Sequence, residues 1–143
     1  MKTLLTSWQV WALASAGFAA LTAIFAKIGV TGVSADFATF IRTLVIVALA
    51  GGIVAFSGQW QPLETVSART WLFLLLSGLA TGASWLCYFR ALKIGDAARV
   101  APIDKLSVVF VAVLGVLLLG EKLSLANWLG VALMTGGALL VAL

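Results

Sequence analysis

Histidine is absent from the 143 residues, and cysteine occurs once, at Cys87. Without imidazole there is no histidine acid–base chemistry, no Ser-His-Asp or Cys-His nucleophile system, and none of the commonest zinc sites. A lone cysteine closes no disulfide within the chain, so the redox compartment is not indicated. Acidic residues number five, Asp36, Glu64, Asp96, Asp104 and Glu121. None stand as the close pair that glycoside hydrolysis or a metal cage requires. No glycine-rich phosphate loop of Walker or dinucleotide type occurs. Neither an enzyme, nor a cofactor, nor a bound metal is expected from these counts.

Charge is scarce as well, at 10% of residues, against about 25% in an ordinary soluble domain. Apolar residues are abundant, at 63%, against about 45–50%. A globule of this length leaves much of its surface exposed and cannot hide that much hydrocarbon from water. The solvent is therefore lipid. The net charge is +4, but the nine basic residues stand singly, mostly at the ends of apolar runs. That is the habit of charge flanking a membrane rather than tracking phosphates, so nucleic acid is not an expected partner.

The charges divide the chain into five apolar segments. They predict helices over about 4–27, 34–57, 70–92, 100–119 and 124–143, each near the ~20 residues that cross ~30 Å of hydrocarbon. Helices follow because a backbone in lipid must satisfy its own polar groups. The expected fold is all-α, an integral membrane bundle of five transmembrane helices forming a single domain over 1–143. Gly29-Val30-Thr31-Gly32, Ser57-Gly58, Gln61-Pro62, Gly95-Asp96 and Gly120-Glu121-Lys122 supply the breaks. Pro102 is expected in the first turn of the fourth helix, where its missing N–H costs little, and Ser124 as the cap of the fifth. Trp8, Trp11, Trp60, Trp71 and Trp128 fall near span ends, as an aromatic belt does. Lys2 and Ala14-Ser15-Ala16 have the outline of a signal peptide. The uncharged run continues to Ala26, however, and includes Gln9 and two tryptophans, so a retained helix is expected.

Helical periodicity sorts the faces. In the third helix Ser77, Thr81, Ser84 and Tyr88 share one stripe, bordered by Trp85, while Gly78 and Gly82 form an adjacent small-residue face. A hydroxyl stripe beside aromatics suits a wet pathway as well as it suits helix contact. In the first helix Ala12, Ser15, Ala16, Ala19, Thr22, Ala23 and Ala26 form a small face opposite Leu13, Phe18, Leu21, Ile24 and Phe25. The simplest assignment turns small residues inward and bulky ones to lipid. Gly130 and Gly137 lie on one face of the fifth helix and fit either packing within the chain or a dimer seam.

Arg42 stands roughly 12 Å along the second helix, deep enough to be a candidate functional charge. Alternating spans gather Lys27, Arg42, Arg90, Lys93, Arg99 and Lys105 with Asp36, Asp96 and Asp104 on one side of the membrane. Lys2, Arg69 and Lys122 with Glu64 and Glu121 fall on the other. The first side is the more positive and suggests a vestibule with Arg42 at its depth, paired with Asp104, that attracts an anionic or zwitterionic solute. Asp104 and Lys105, as sequence neighbours on a helix, are not expected to face each other. The bias of loop charge is slight and leans only weakly to an external N-terminus.

Tyr88-Phe89-Arg90-Ala91-Leu92-Lys93, Val100-Ala101-Pro102, Leu119-Gly120-Glu121-Lys122-Leu123-Ser124, Trp128-Leu129-Gly130 and Gly136-Gly137 together resemble the EamA domain of the drug/metabolite transporter superfamily. Arg42 also matches an arginine often seen there. The resemblance implies five helices per unit. Typical members carry two inverted units in one chain and move small metabolites or drugs across the inner membrane by alternating access. This chain has one such unit. It also lacks an acidic residue in its first helix, where the related small multidrug resistance proteins keep their coupling glutamate, so proton-coupled cation export is not implied. Arg42 and Tyr88 carry over as functional positions, and Pro102, Gly120 and Glu121 as structural ones.

The expectation is a multi-pass protein of the inner or plasma membrane that transports a small solute. Its substrate pathway is expected at Arg42, Ser77, Thr81, Ser84, Trp85, Tyr88 and Asp104. Gly78, Gly82, Gly130 and Gly137 are expected to serve helix or dimer packing, with an oppositely oriented second copy or a paralogous five-helix partner completing the assembly. The alternative is a non-transporting membrane subunit that assembles with or regulates another membrane protein.

Overall fold

Long apolar runs punctuated by serine and glycine make their own helix ends. Ser34 receives the Phe37 amide on its hydroxyl at 3.2 Å, Ser67 the Thr70 amide at 3.1 Å and Ser124 the Asn127 amide at 3.2 Å. Each satisfies a donor that a helix start would otherwise leave bare. In the computed structural model, which describes residues 7–143, these signals yield α1 (Trp8–Gly29), α2 (Ala35–Phe56), α3 (Ala68–Ile94), α4 (Ala97–Asp104), α5 (Ser107–Leu119) and α6 (Leu125–Ala142). One 3₁₀ turn covers Leu63–Thr65 between α2 and α3, and no strand occurs among the described residues. The protein is all-α. Five stretches are long and apolar enough to cross a membrane, with Ala97–Leu119 counting as one. The part of the first expected helix before residue 7 lies outside the described residues.

Two expectations for the fourth span are corrected. Pro102 does not sit in the first turn, because α4 begins at Ala97. The Arg99 and Val100 amides bond back to the Asp96 carbonyl at 3.0 and 2.9 Å, which starts the helix a turn earlier. The continuous helix expected over 100–119 is in fact interrupted at Lys105-Leu106. Proline has no N–H for the Ala98 carbonyl and its ring crowds the preceding turn. Beyond it the Leu106, Val108 and Val109 amides all take partners three residues back, the tighter spacing typical of a helix that stops and restarts. The same break corrects the view of Asp104 and Lys105. Lys105 is the C-cap of α4 and not part of a continuing helix face, and its Nζ lies 3.2 Å from Asp104 Oδ2.

The chain divides into two compact units, Phe25–Lys93 and the remainder. In Phe25–Lys93 the buried residues are Ala26, Val30, Ala35, Thr39, Phe89 and Leu92. They lie where the end of α1 turns into α2 beside the end of α3. Basic side chains bind this corner to itself. Lys27 Nζ donates to the Leu92 carbonyl at 2.8 Å, and Lys93 Nζ to the Val33 carbonyl at 2.7 Å. Arg90 holds Asp36 through two bonds of 3.2 and 3.0 Å. Cations at the C-terminal turns of α1 and α3 also oppose the negative ends of those helix dipoles.

In the remainder of the chain, α6 packs against α4 and more lightly against α5. A cavity of about 270 Å³ between them is lined by Pro102, Lys105, Met134, Thr135 and Gly137 among others. Gly120 ends α5 at φ 70°, and the amides of Gly120 and Glu121 both return to the Gly115 carbonyl. Only glycine adopts that left-handed conformation without strain. Gly120→Ala is therefore expected to lower stability by about 1 kcal/mol, read as an earlier thermal unfolding in detergent. An unchanged midpoint would show that the turn tolerates a side chain.

Bulky side chains point away from these contacts. Leu13, Phe18, Leu21, Ile24 and Phe25 of α1 are exposed, as a lipid-facing surface requires, while Ala23 and Ala26 are buried. The small face of α1 is covered only toward its C-terminus, since Ala12, Ser15 and Ala16 remain open.

Candidate functional site

Arg42 is the eighth residue of α2, about 12 Å from the helix start. A cation at that depth is expensive unless something replaces its hydration. The replacement comes from α3. The Arg42 guanidinium carbon lies 3.9 Å from the centroid of the Trp85 ring and 5.4 Å from that of Phe89. Both lie within the distance at which an aromatic face attracts a cation. Trp85 and Phe89 are four residues apart, one helical turn, so they form one continuous aromatic surface on α3. The ties of Asp36 to Arg90 and of Val33 to Lys93 set the register between the start of α2 and the end of α3. They bring Arg42 level with Trp85.

Arg42 makes no hydrogen bond and no ion pair among the described residues, so the aromatic rings are its neighbours in place of a carboxylate. The other basic residues of this unit on the same side are occupied, Arg90 by Asp36 and Lys27 and Lys93 by main-chain carbonyls. Arg69, at the other end of α3, lies 5.9 Å from the Phe73 ring.

The hydroxyl stripe of α3 divides. Ser77, Thr81 and Ser84 are exposed on the chain and Tyr88 is half-buried. Thr81 donates its hydroxyl hydrogen to the Ser77 carbonyl at 2.9 Å, which satisfies the donor within the helix and leaves the oxygen to accept. Trp85, expected as the stripe's border, is the member that contacts Arg42 directly. Asp104 belongs to the other unit and is bound there by Lys105.

The glycines expected to serve packing have room around them. A Cβ built on Gly78, Gly82, Gly130 or Gly137 meets no atom of the described residues within 4 Å. The glycine in closest contact is Gly115, where a Cβ would come 2.7 Å from a carboxylate oxygen of Glu121. That contact follows from the reversal at Gly120 and had no separate signal in the sequence. Phe89 was also missed, although its spacing of four from Trp85 is the signature of a shared face.

Comparison with known proteins gives a consistent result. The sequence model of the EamA-like transporter family matches residues 6–143. A protein of Sinorhizobium sp named "Uncharacterized transporter in cobO 3'region" is 68% identical over 136 residues, covering 95% of this chain and 96% of that protein. No solved structure matches.

Proposed function

Because this chain belongs to the EamA-like transporter family and is a multi-pass membrane transporter, we propose that it moves a small metabolite or drug across the inner or plasma membrane by alternating access, along a path that includes Arg42. The observation that carries this is a guanidinium about 12 Å inside a span, set over Trp85 and with no hydrogen bond or ion pair among the described residues. An ionisable group at membrane depth marks a solute or ion route unless a structural partner accounts for it. The path continues along Ser77, Thr81, Ser84 and Tyr88 on α3.

The single domain over 1–143 supplies half of the machine. Two five-helix units of opposite orientation enclose the path, either two copies of this chain or one copy and a paralogue. The glycines of α3 and α6 favour such an assembly, because a Cβ at Gly78, Gly82, Gly130 or Gly137 meets no other atom of the described residues within 4 Å and leaves room for close helix contact.

Cysteine substitution separates this from a subunit that only packs against another membrane protein. In a background lacking Cys87, cysteines at Ser77, Thr81 and Ser84 are expected to react with a charged, membrane-impermeant maleimide. Cysteine at the lipid-facing Leu79 should stay unlabelled. Protection of all three stripe positions would mean a dry packing face and would remove the path.

A further inference from the structure

We propose that the solute engaged by Arg42 is an organic monocarboxylate, a proposal that rests on Arg42 lying on the path. Three features of the unit select this class. The first is geometry. The Arg42 guanidinium carbon lies over the Trp85 ring, 3.9 Å from its centroid, and 5.4 Å from that of Phe89. Aromatic rings supply no acceptor oxygen for the N–H groups, and the planar N–H fork of a guanidinium matches the two oxygens of a carboxylate.

The second is charge. Arg42 is the cation of Phe25–Lys93 at this depth whose N–H groups have no acceptor among the described residues. Lys27, Arg90 and Lys93 near the same end are already bound to Leu92, Asp36 and Val33. One cation neutralises one anionic charge. A phosphate monoester, with nearly two negative charges at neutral pH, would be left carrying one of them inside a low-dielectric site.

The third is the lack of a matching anion. The carboxylates of this unit are Asp36, held by Arg90, and Glu64, in the 3₁₀ turn beyond the far end of α2. Neither is placed to receive an ammonium from a solute at Arg42, which disfavours amines and zwitterions. The carboxylate complex with Arg42 is neutral overall, so the loaded site carries no net charge through the membrane interior. Trp85 and Tyr88, both half-buried, then offer apolar surface to the rest of the molecule.

The test is binding to the purified full chain in detergent, followed by thermal unfolding and by tryptophan fluorescence. The probes are benzoate, butyrate, benzamide, benzylamine and phenyl phosphate. Benzoate is expected to bind and to raise the unfolding midpoint, with butyrate weaker and the other three inert. Arg42→Gln should weaken benzoate at least about tenfold, and Arg42→Lys, which keeps the charge without the fork, by an intermediate factor. A folded Arg42→Lys keeps the test valid if Arg42→Gln does not fold. Arg42-dependent binding of benzylamine, benzamide or phenyl phosphate in preference to benzoate would overturn the assignment of class while leaving the path in place. Absence of Arg42-dependent binding by both carboxylates would overturn it as well. Failure of the path itself is seen separately, as unreactive cysteines at 77, 81 and 84.

Discussion

Substitution of Arg42 by alanine is expected to reduce solute flux about 100-fold in liposomes containing only this chain, with protein amount and insertion unchanged. Two charge-assisted hydrogen bonds of roughly 1.5 kcal/mol each give about 3 kcal/mol, and 1.4 kcal/mol is a factor of ten. Arg42 has no ion-pair partner among the described residues, so its removal leaves no buried anion behind. Folding should survive for the same reason, and the loss should appear in transport more than in stability. Arg42→Lys is the informative companion. Lysine keeps the charge but stacks less well on Trp85 and presents no planar fork, so it should retain more flux than alanine and less than arginine. Equal flux in wild type and Arg42→Ala, at matched insertion, would take Arg42 off the path.

The largest stability effect belongs to Leu92→Ala. Leu92 is completely buried, and the carbonyl of the same residue accepts the Lys27 ammonium. In a membrane protein the transfer gain of burying leucine is muted, because lipid is as apolar as the core. What remains is the packing lost around an unfilled space. We expect a loss of about 2 kcal/mol, the low end of such substitutions in soluble cores. Leu79→Ala on the same helix should cost little, since Leu79 is exposed on the chain. Comparable thermal shifts for the two variants in detergent would mean that the corner formed by Val30, Phe89 and Leu92 is not where this unit is held together.

Much of this was legible in the residues. Runs without charge mark the spans, because charge at membrane depth is costly whatever the fold. Using charges as boundaries nevertheless clipped the helices. Lys27 and Lys93 were expected at or beyond helix ends, yet both lie inside the final turns of α1 and α3. Cations favour that place because the last carbonyls and the helix dipole attract them. Ser124 could be identified as a cap from its position alone. The interruption at Lys105-Leu106 is not legible in the residues, because a helix that starts at Val100 puts Pro102 in its first turn, where proline is harmless. Once the helix starts at Ala97 the same proline lies in its second turn, where it removes a bond. The depth of Arg42 was plain from counting, and so was the stripe of Ser77, Thr81, Ser84 and Tyr88. That Arg42 rests on Trp85 and Phe89 was not, since the register of α2 against α3 is set by Asp36, Arg90 and Lys93, which lie far apart in sequence.

The most direct measurement is exchange of radiolabelled solute across liposomes containing this purified chain and no other protein. With benzoate inside and labelled benzoate outside, the label is expected to accumulate faster than in protein-free liposomes, with a rate that saturates and is slowed by Trp85→Leu. A rate equal to that of empty liposomes, for benzoate and for every other solute tried, would contradict the claim that copies of this chain together form a route across the membrane.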